Sequence, residues 1–460
     1  MTRQLTIPHS ASFRDPSGFL FWRDGELFRQ INKCYAADYD VLERCGLLEK
    51  LYSAGLLVRH SETGLSEKIS PQAYKVLKPE RLPFVSYPYE WCFGELKDAA
   101  LLTLKIAKQA LDHGLVLKDA SAFNVQFNGS RPVFIDLLSF EQYRENEPWI
   151  AYRQFCQHFL GPLALMSKVD LRCVQLFRSH IDGIPLELAG ALLPWSSYLR
   201  FGLLTHIHLH GWFNRQDWKA KQLGRRGKFS KFSFYALLDN LNSLVESLTP
   251  PKSKAFWEAY YQGTNYSSAG LQHKEELVDR FVQELKPKLI WDAGANVGRF
   301  SRIAARYGSL VVAFDNDPCC VEHSYLDVKR EGPQNLLPLV IDFSNPSPGL
   351  GWAHRERESL EERGPADLIL FLALIHHLSI ANNLPFESVA AYLAKLTCNL
   401  LIEFVPKADS QVQRLLSSRK DIFSWYEQAH FERAFERYFT IVSTAAVRDS
   451  QRTLYLMKRR

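Results

Sequence analysis

The feature that most limits the fold is an alternation in the C-terminal half of short apolar runs with segments of helical periodicity. The runs are KLIWDAG, SLVVAFD, LLPLVID, ADLILFL and CNLLIEF, which start at residues 288, 309, 336, 366 and 398. Strands that are covered by helices on both faces have this nearly continuous Leu, Ile and Val content. The alternation therefore predicts an α/β domain with a doubly wound, Rossmann-like parallel sheet over residues 285–460.

The first apolar run leads into a glycine-bearing turn before a helical segment. The turn is DAGANVG, residues 292–298, and RFSRIAARYG follows it. Glycine lets the backbone approach a ligand closely, and the next helix points its N-terminus at the same place. A dinucleotide-binding turn would have the spacing GxGxxG. Here a carboxylate, Asp292, precedes the first glycine, which suits a ligand carrying ammonium and sulfonium groups better than one carrying phosphates.

Acidic residues mark three further runs. Asp315 ends the second run, Asp342 ends the third, and Asp367 stands at the start of the fourth. In open α/β sheets ligands bind beyond the carboxyl ends of the strands, and an acid after the second strand can accept hydrogen bonds from two ribose hydroxyls. Any one of these acids alone is equally well an ordinary strand-end cap, and only the ordered set favours a shared site.

The turn and the acids together resemble class I S-adenosylmethionine-dependent methyltransferases. The resemblance covers residues 288–460 and implies S-adenosyl-L-methionine as the cofactor. It implies a cofactor site made of Asp292, Gly294, Asn296, Gly298, Asp315, Asp342 and Asp367, with Asp315 at the ribose and Asp342 beside the adenine. The turn departs from the commonest form at Asn296, where a glycine is usual; asparagine tolerates the positive φ that such a turn requires.

Two adjacent histidines are the first candidates for catalysis. His376 and His377 follow the fourth run, where many small-molecule methyltransferases place residues that face the acceptor. A neutral imidazole can take the proton from a hydroxyl or amine as the methyl group arrives. One of the two is as well explained as a structural histidine, and we favour His377 for the catalytic role. Glu403, in the fifth run, is a second candidate base, or else a structural acid paired with Lys407.

Aromatic residues precede the C-terminal domain. The stretch FWEAYYQGTNY contains Trp257, Tyr260, Tyr261 and Tyr266. Aromatic faces attract a sulfonium, so the stretch could fold over the cofactor as a lid. Core packing explains it equally well.

The N-terminal half has a different pattern. Asp24-Gly25 between two β-rich runs predicts a hairpin, and FGELKDAALLTLKIAKQALDHG predicts a long amphipathic helix. Asp119, Asn124 five residues later, and Asp136 after the run PVFI then resemble the catalytic loop and metal ligands of protein-kinase-like folds. The resemblance implies that Asp119 orients a hydroxyl while Asn124 and Asp136 hold Mg2+ beside ATP.

This second resemblance has clear departures. There is no GxGxxG loop ahead of Asp119 and no V-A-x-K strand with an obvious lysine. We therefore expect an α+β, kinase-like domain without ATP turnover of its own, which serves to recognise the acceptor. The alternative is a structural hairpin followed by helices.

Two weaker features lie near residue 210. His206, His208 and His210 alternate in THIHLHGW, yet no carboxylate is close in sequence, so we predict no metal site. The segment 214–231 carries seven Lys/Arg against one Asp. It is compatible with peripheral contact to phosphates or anionic lipid, although a solvated face between domains is the simpler interpretation.

Composition bounds the remaining choices. The 460 residues have a formal charge of +6, which does not indicate a nucleic-acid partner, and eight cysteines without a CxxC pair. No apolar run reaches the ~18 residues of a membrane span, and the N-terminus lacks a signal-peptide core, so a cytoplasmic protein is expected. Pro250-Pro251 favours a division into residues 1–245, a linker with a lid helix over 246–284, and residues 285–460.

The function expected from these features is methyl transfer to a small-molecule or glycan/glycolipid acceptor. The segments DAGANVGRF, LALIHHL and EFVPKADS give the whole chain a loose resemblance to bacterial methyltransferases related to rhizobial nodulation proteins. Two alternatives stay open: a bifunctional kinase–methyltransferase that caps a sugar phosphate, and a non-catalytic scaffold that binds the cofactor.

Overall fold

The computed structural model describes residues 6–64, 68–210, 229–251, 266–331 and 334–460. The chain divides into two compact units, of which the N-terminal unit comprises Met1–Pro251 and Leu350–Arg357. The C-terminal unit comprises Lys252–Gly349 and Glu358–Arg460. Sequence punctuation points to a boundary near residue 250, but it gives no sign that the short segment Leu350–Arg357 belongs to the first unit. The helix expected in the linker belongs to the C-terminal unit.

The N-terminal unit opens with a five-stranded antiparallel sheet in the order β1-β2-β3-β5-β4. Its strands are β1 Thr6–Pro8, β2 Gly18–Arg23, β3 Glu26–Asn32, β4 His60–Thr63 and β5 Ala73–Pro79. The hairpin predicted at Asp24-Gly25 joins β2 to β3, and both turn residues have positive φ, as a tight hairpin turn requires. Helices α1 Ala36–Arg44 and α2 Leu47–Ser53 follow β3.

A long helix leads from this sheet to a group of short strands. Helix α3, Phe93–Asp112, buries one face through residues such as Leu96, Ala100 and Leu104, as its apolar periodicity predicts. The short strands after it pair as β6 with β9 and β7 with β8. Their bounds are β6 Leu115–Leu117, β7 Val125–Asn128, β8 Arg131–Phe134 and β9 Phe140–Gln142.

The rest of the N-terminal unit is helical. Its α-helices are α4 Tyr152–Phe155, α5 Gly161–Lys168, α6 Leu186–Leu192, α7 Phe201–Leu203 and α8 Lys231–Ser247. Two π-helical turns, Cys156–Leu160 and Leu204–Leu209, lie among them. The segment Leu350–Arg357 is held within this unit by an ion pair and a cation–π contact. Arg14 lies 2.7 Å from the carboxylate of buried Glu356, and the Arg357 guanidinium lies 4.2 Å from the ring centre of Phe123.

The C-terminal unit is built on a seven-stranded sheet in the order β12-β11-β10-β13-β14-β16-β15. The strands are β10 Leu289–Ala293, β11 Leu310–Asp315, β12 Leu336–Val340, β13 Ala366–Phe371, β14 Thr397–Phe404, β15 Phe439–Ala446 and β16 Thr453–Arg459. The first five are parallel, and each coincides with one of the apolar runs. Strand β16 runs antiparallel to β14 and to β15.

Helices cover this sheet and complete its core. They are α9 Ser268–Leu285, α10 Arg299–Ala305, α11 Pro318–Glu331, α12 Phe386–Leu396, α13 Ser410–Leu416 and α14 Gln428–Glu436. Helix α9 packs Val278 and Phe281 against buried residues such as Ile290 and Leu368. The order of the strands reverses at β10 and β13, so a crevice for ligands is expected at their carboxyl ends. No helix in the described ranges is long and apolar enough to cross a bilayer.

Candidate functional site

The turn after β10 is held in a conformation that few residues adopt. Gly294, Asn296 and Gly298 all have positive φ, at 74°, 59° and 77°. A Cβ atom at Gly298 would lie 2.7 Å from the Ser324 hydroxyl, and one at Gly294 would lie 3.3 Å from Leu374. The asparagine amide oxygen accepts a bond from the Val297 N–H at 2.6 Å, which supports its left-handed backbone. The two glycines and the asparagine therefore keep the turn tight.

Asp315, the last residue of β11, is tied to this turn. One carboxylate oxygen accepts from the Asn296 N–H at 2.8 Å, and the other accepts from the Asp317 N–H at 2.9 Å. A carboxylate can accept more than two hydrogen bonds, so further donors can reach this group. Burial raises the pKa of Asp315 to about 6, although the backbone N–H groups of Asp317, Asn296 and Asn316 oppose the shift. The side chain is placed to accept two hydrogen bonds from one ligand.

Asp292 lies deeper, under the turn. Its side chain is buried and accepts a bond from the Ser301 hydroxyl at 2.6 Å. Burial raises the pKa of Asp292 to about 6, against the hydrogen bond from Ser301 and the positive charge of Lys274. A positively charged ligand nearby would favour the ionised form of both acids.

The other two predicted acids lie at opposite ends of the sheet. Asp342 follows β12, and one of its oxygens accepts from the Ser344 N–H at 2.8 Å and the Ser344 hydroxyl at 2.7 Å. Asp367 begins β13 and accepts from the N–H groups of Lys288 and Leu289, at 2.8 and 2.9 Å. Because β10 and β13 are parallel, these contacts fix Asp367 at the amino ends of the strands. The structure therefore places Asp367 at the end of the sheet opposite the DAGANVG turn, which corrects the sequence prediction that groups Asp367 with the residues of that turn.

The two histidines after β13 differ in their surroundings. His376 is only 2% exposed, and its Nδ1 atom has no hydrogen-bond partner in the described part of the chain. Burial, the neighbouring His377 and the cation of Arg452 lower the pKa of His376 to about 3, so the imidazole is neutral. His377 is exposed, and the two ring centres lie 4.3 Å apart. The pair therefore combines an inward-facing neutral ring with a ring in contact with solvent.

Glu403 is fully buried and already engaged by two donors. Lys274 on α9 lies 2.7 Å from one carboxylate oxygen, and the Tyr266 hydroxyl donates to the other. Lys407, the partner expected from the sequence, instead pairs with Asp421 at 2.7 Å. Burial lowers the pKa of Lys274, although Glu403 opposes that shift. The geometry favours a structural role for Glu403 over the role of general base.

The same buried network extends to Arg452, the residue before β16. Arg452 donates to the Tyr266 hydroxyl at 2.8 Å and binds both carboxylate oxygens of Asp409 at 2.7 and 3.0 Å. Sequence reasoning missed Lys274, Arg452 and Asp409. Lys274 had a detectable signal, because it lies on the apolar face of α9 three residues before Leu277, where a lysine is unexpected.

The N-terminal unit brings its three predicted polar residues into one hydrogen-bonded group. Asn124 donates to the Ser139 hydroxyl at 3.3 Å, and that hydroxyl donates to Asp136. Asp119 accepts from the Gln154 amide at 2.8 Å. Burial and the nearby charge of Asp136 raise the pKa of Asp119.

Sequence reasoning missed the basic partner of this group. Arg29, on β3 and 7% exposed, lies 2.6 Å from a carboxylate oxygen of Asp136. Burial would raise the pKa of Asp136, but the Arg29 cation and the bond from Ser139 outweigh it and hold the pKa below its usual value. The carboxylate is thus ionised and neutralised by an internal guanidinium.

The remaining predicted residues have no shared site. His206 lies between the Tyr152 hydroxyl at 2.6 Å and the Asn240 side-chain oxygen at 2.7 Å, and His208 lies 2.8 Å from the Ser197 hydroxyl. Over the described ranges no three His, Cys, Asp or Glu side chains form a group suited to a metal ion. Trp257, Tyr260, Tyr261 and residues 214–228 of the basic segment lie outside the described residues. Tyr266 belongs to the network with Glu403.

The strand order and the site together define the class of the C-terminal unit. Five parallel strands followed by an antiparallel hairpin, with the DAGANVG turn after the central strand and an acid after its neighbour, give a methyltransferase-type fold. No family model matches the chain. The nodulation protein NoeA of Rhizobium meliloti (strain 1021) is 36% identical over 458 residues, which cover 98% of this chain and 96% of that protein. The chain belongs to the NoeA family of nodulation proteins.

Several solved methyltransferases are similar to part of the chain. Magnesium protoporphyrin IX methyltransferase from Synechocystis PCC 6803, solved with bound SAM, is 18% identical and covers 45% of this chain and 92% of its own, with a TM-score of 0.31. N-methyltransferase NodS from Bradyrhizobium japonicum WM9 is 12% identical, and the match covers 40% of this chain and 96% of NodS, with a TM-score of 0.28. A TehB-like SAM-dependent methyltransferase from Corynebacterium glutamicum is 16% identical, and the match covers 45% of this chain and 100% of that methyltransferase, with a TM-score of 0.28.

Proposed function

We propose that the C-terminal unit binds S-adenosylmethionine and catalyses methyl transfer to a hydroxyl or amine of a small-molecule or glycan/glycolipid acceptor. The observation that carries this proposal is the position of Asp315. Its carboxylate is fixed by the N–H groups of Asn296 and Asp317 and can accept further hydrogen bonds. Two adjacent ribose hydroxyls offer the matching pair of donors.

The residues around Asp315 fit the rest of the cofactor. The left-handed positions at Gly294, Asn296 and Gly298 keep the turn tight, so that a ligand can approach its backbone closely. Asp342 supplies an acceptor for the adenine amino group, and Asp292 supplies negative charge for the methionine end. When bound, the cofactor supplies an electrophilic methyl group on a sulfonium. Its positive charge favours the ionised forms of Asp292 and Asp315, which burial disfavours in the free protein.

We assign different roles to the two histidines. Because His376 is buried, an acceptor reaches its unpartnered Nδ1 only after a local rearrangement; the nitrogen can then accept a hydrogen bond from the acceptor's hydroxyl or amine and so orient it. His377, which is exposed, can take the proton and pass it to water. Glu403 is left out of the chemistry because Lys274 and Tyr266 already engage it.

For the N-terminal unit we propose a kinase-like fold that does not turn over ATP and that recognises the acceptor. Support comes from the order of its elements: an antiparallel sheet with helices after β3, then α3, then the loop carrying Asp119 and Asn124, then Asp136. A working phosphoryl-transfer site would need Mg2+ at Asn124 and Asp136. Arg29 instead pairs with Asp136 at 2.6 Å, which supports loss of that step over the bifunctional alternative.

Calorimetric titration of the full-length protein with S-adenosylmethionine tests the cofactor proposal. Asp315→Asn replaces one acceptor oxygen by a donor, so we expect affinity to fall about tenfold or more, the weight of a hydrogen bond to a charged group. Asp367→Asn is the matched control, because Asp367 contacts Lys288 and Leu289 at the other end of the sheet. Equal affinities of the two variants would contradict the proposal. Incubation with cell extract and methyl-labelled cofactor then tests for a labelled acceptor.

A further inference from the structure

Five large apolar side chains are exposed within ten residues of the N-terminal unit. They are Leu192, Trp195, Tyr198, Leu199 and Phe201, and we call them the Trp195 patch. Trp195, Leu199 and Phe201 are 74%, 73% and 77% exposed. Contiguous exposed apolar groups of this size mark interaction sites, whereas single ones are ordinary.

The patch stands on an ordered support. Leu193 and Leu203 from the same stretch are buried and face the core. The Ser197 hydroxyl donates to the Pro194 carbonyl at 2.7 Å, and the Tyr198 ring stacks on the His208 ring at 3.8 Å. The outward side chains are therefore presented by a fixed backbone.

The charged residue within the patch is basic. Exposed Arg200 lies between Leu199 and Phe201, and residues 188–210 contain no Asp or Glu. Burial is the main cause of a lowered pKa at Lys168, on α5, and the nearby positive charge of Arg200 lowers this pKa further. The surface thus combines apolar groups with positive charge, which complements an anionic surface rather than another basic one.

We propose that the Trp195 patch docks the protein on a bilayer that contains anionic lipids. Tryptophan and tyrosine favour the headgroup level of a membrane, and Leu199 and Phe201 can enter the acyl boundary beneath it. Arg200 lies between these residues, where it can meet lipid phosphates. This surface lies outside the proposed methyl-transfer site, so the proposal goes beyond that function and does not depend on it.

Sedimentation of the full-length protein with lipid vesicles tests the proposal. Vesicles of phosphatidylcholine with phosphatidylglycerol should bind the protein, and phosphatidylcholine alone should bind it less. We expect the double variant Trp195→Glu/Phe201→Glu to lose about tenfold or more of the binding to the anionic vesicles. Arg200→Gln should mainly reduce the difference between the two lipid compositions. Trp352→Glu is the matched control, because Trp352 is also 74% exposed.

Three outcomes would overturn the proposal. They are an absence of vesicle binding, equal binding by the double variant and the wild type, and equal losses for Trp352→Glu and the double variant. Light scattering at several protein concentrations adds an independent check. A dimer that disappears in the double variant would show that a second copy of the chain, and not a bilayer, covers the patch. Trp195→Ser/Phe201→Ser, without added charge, must show the same direction of change in vesicle binding.

Discussion

The ammonium group of Lys274 lies 2.7 Å from a carboxylate oxygen of Glu403, and the two side chains are 2% and 0% exposed. The pair joins α9 to β14, and Tyr266 extends it to Arg452, the residue before β16. Removing two charges from water is costly, and their attraction offsets this only when the geometry is good and the other polar atoms are bonded. The pair therefore makes the stability of the C-terminal unit depend on both partners.

Lys274→Met should lower the free energy of unfolding by about 3–5 kcal/mol, because it leaves the carboxylate of Glu403 buried and uncompensated. Urea denaturation of the full-length protein measures the change. Lys274→Met/Glu403→Leu should recover most of the loss, since it removes both charges. Lys395→Met is the control: Lys395 pairs with Glu361 at the surface, so the change should cost less than about 1 kcal/mol. Equal costs for Lys274→Met and Lys395→Met would contradict the role of the buried pair.

Asp292→Asn should make the free protein more stable at pH 8 while it weakens cofactor binding. The pKa of Asp292 is raised to about 6 in the folded protein, so above pH 6 folding requires a buried charge that the unfolded chain carries at no such cost. We expect the free energy of unfolding of Asp292→Asn to exceed that of the wild type by on the order of 2–3 kcal/mol above pH 6. The gain should vanish as the pH falls from 6 towards 4. Urea denaturation of both proteins across this range measures it, and a difference independent of pH would contradict the assignment.

His377→Ala should lower turnover about 10²-fold or more once an acceptor is known, which is the usual weight of a general base. The same variant should bind S-adenosylmethionine with unchanged affinity, because the ring is assigned to the acceptor side. His376→Ala should raise the KM for the acceptor, since it removes the unpartnered nitrogen. His430→Ala, on α14 beside Glu387, is a control that should leave both parameters unchanged. Full activity in both test variants would show that the proton leaves by another route.

Arg29→Met should make the thermal midpoint of the full-length protein depend on Mg2+, whereas the wild-type midpoint should not. The substitution leaves the carboxylate of Asp136 buried without its cation, beside Asn124 and Ser139, where a metal ion can supply the lost positive charge. Arg14→Met breaks the ion pair with Glu356 and should show no metal response. Hydrolysis of ATP by the wild type that needs Mg2+ and is abolished by Asp136→Ala would instead support the bifunctional alternative.

Strands β10 to β14 could be predicted because burial on both faces is a local property of composition. Strands β15 and β16 escaped prediction. In β15, Phe439–Ala446, buried and less buried residues alternate, and the strand follows a helical and aromatic stretch that dominates the local pattern. The antiparallel hairpin that distinguishes this sheet from a dinucleotide-binding one was therefore found only in the structure.

The position of a candidate site residue could be predicted where it depends on the place of that residue in a strand. Asp315 and Asp342 follow apolar runs and reach the expected edge, whereas Asp367 starts its run and the direction of the strand carries it to the other edge. The ion pairs could not be predicted, because Glu403 and Lys274 are 129 residues apart and Asp136 and Arg29 are 107 apart. Such pairs are set by tertiary packing, which no local pattern records.

Because Leu350–Arg357 belongs to the N-terminal unit, the coding sequences of the two units are interleaved in the gene. The chain passes from one unit to the other three times, after residues 251, 349 and 357, so neither unit corresponds to one uninterrupted stretch of gene. A single recombination event near codon 251 would separate Arg14 and Phe123 from Glu356 and Arg357, their partners within the same unit. The two units are therefore expected to be passed on together, and the similarity to NoeA extends over 98% of the chain.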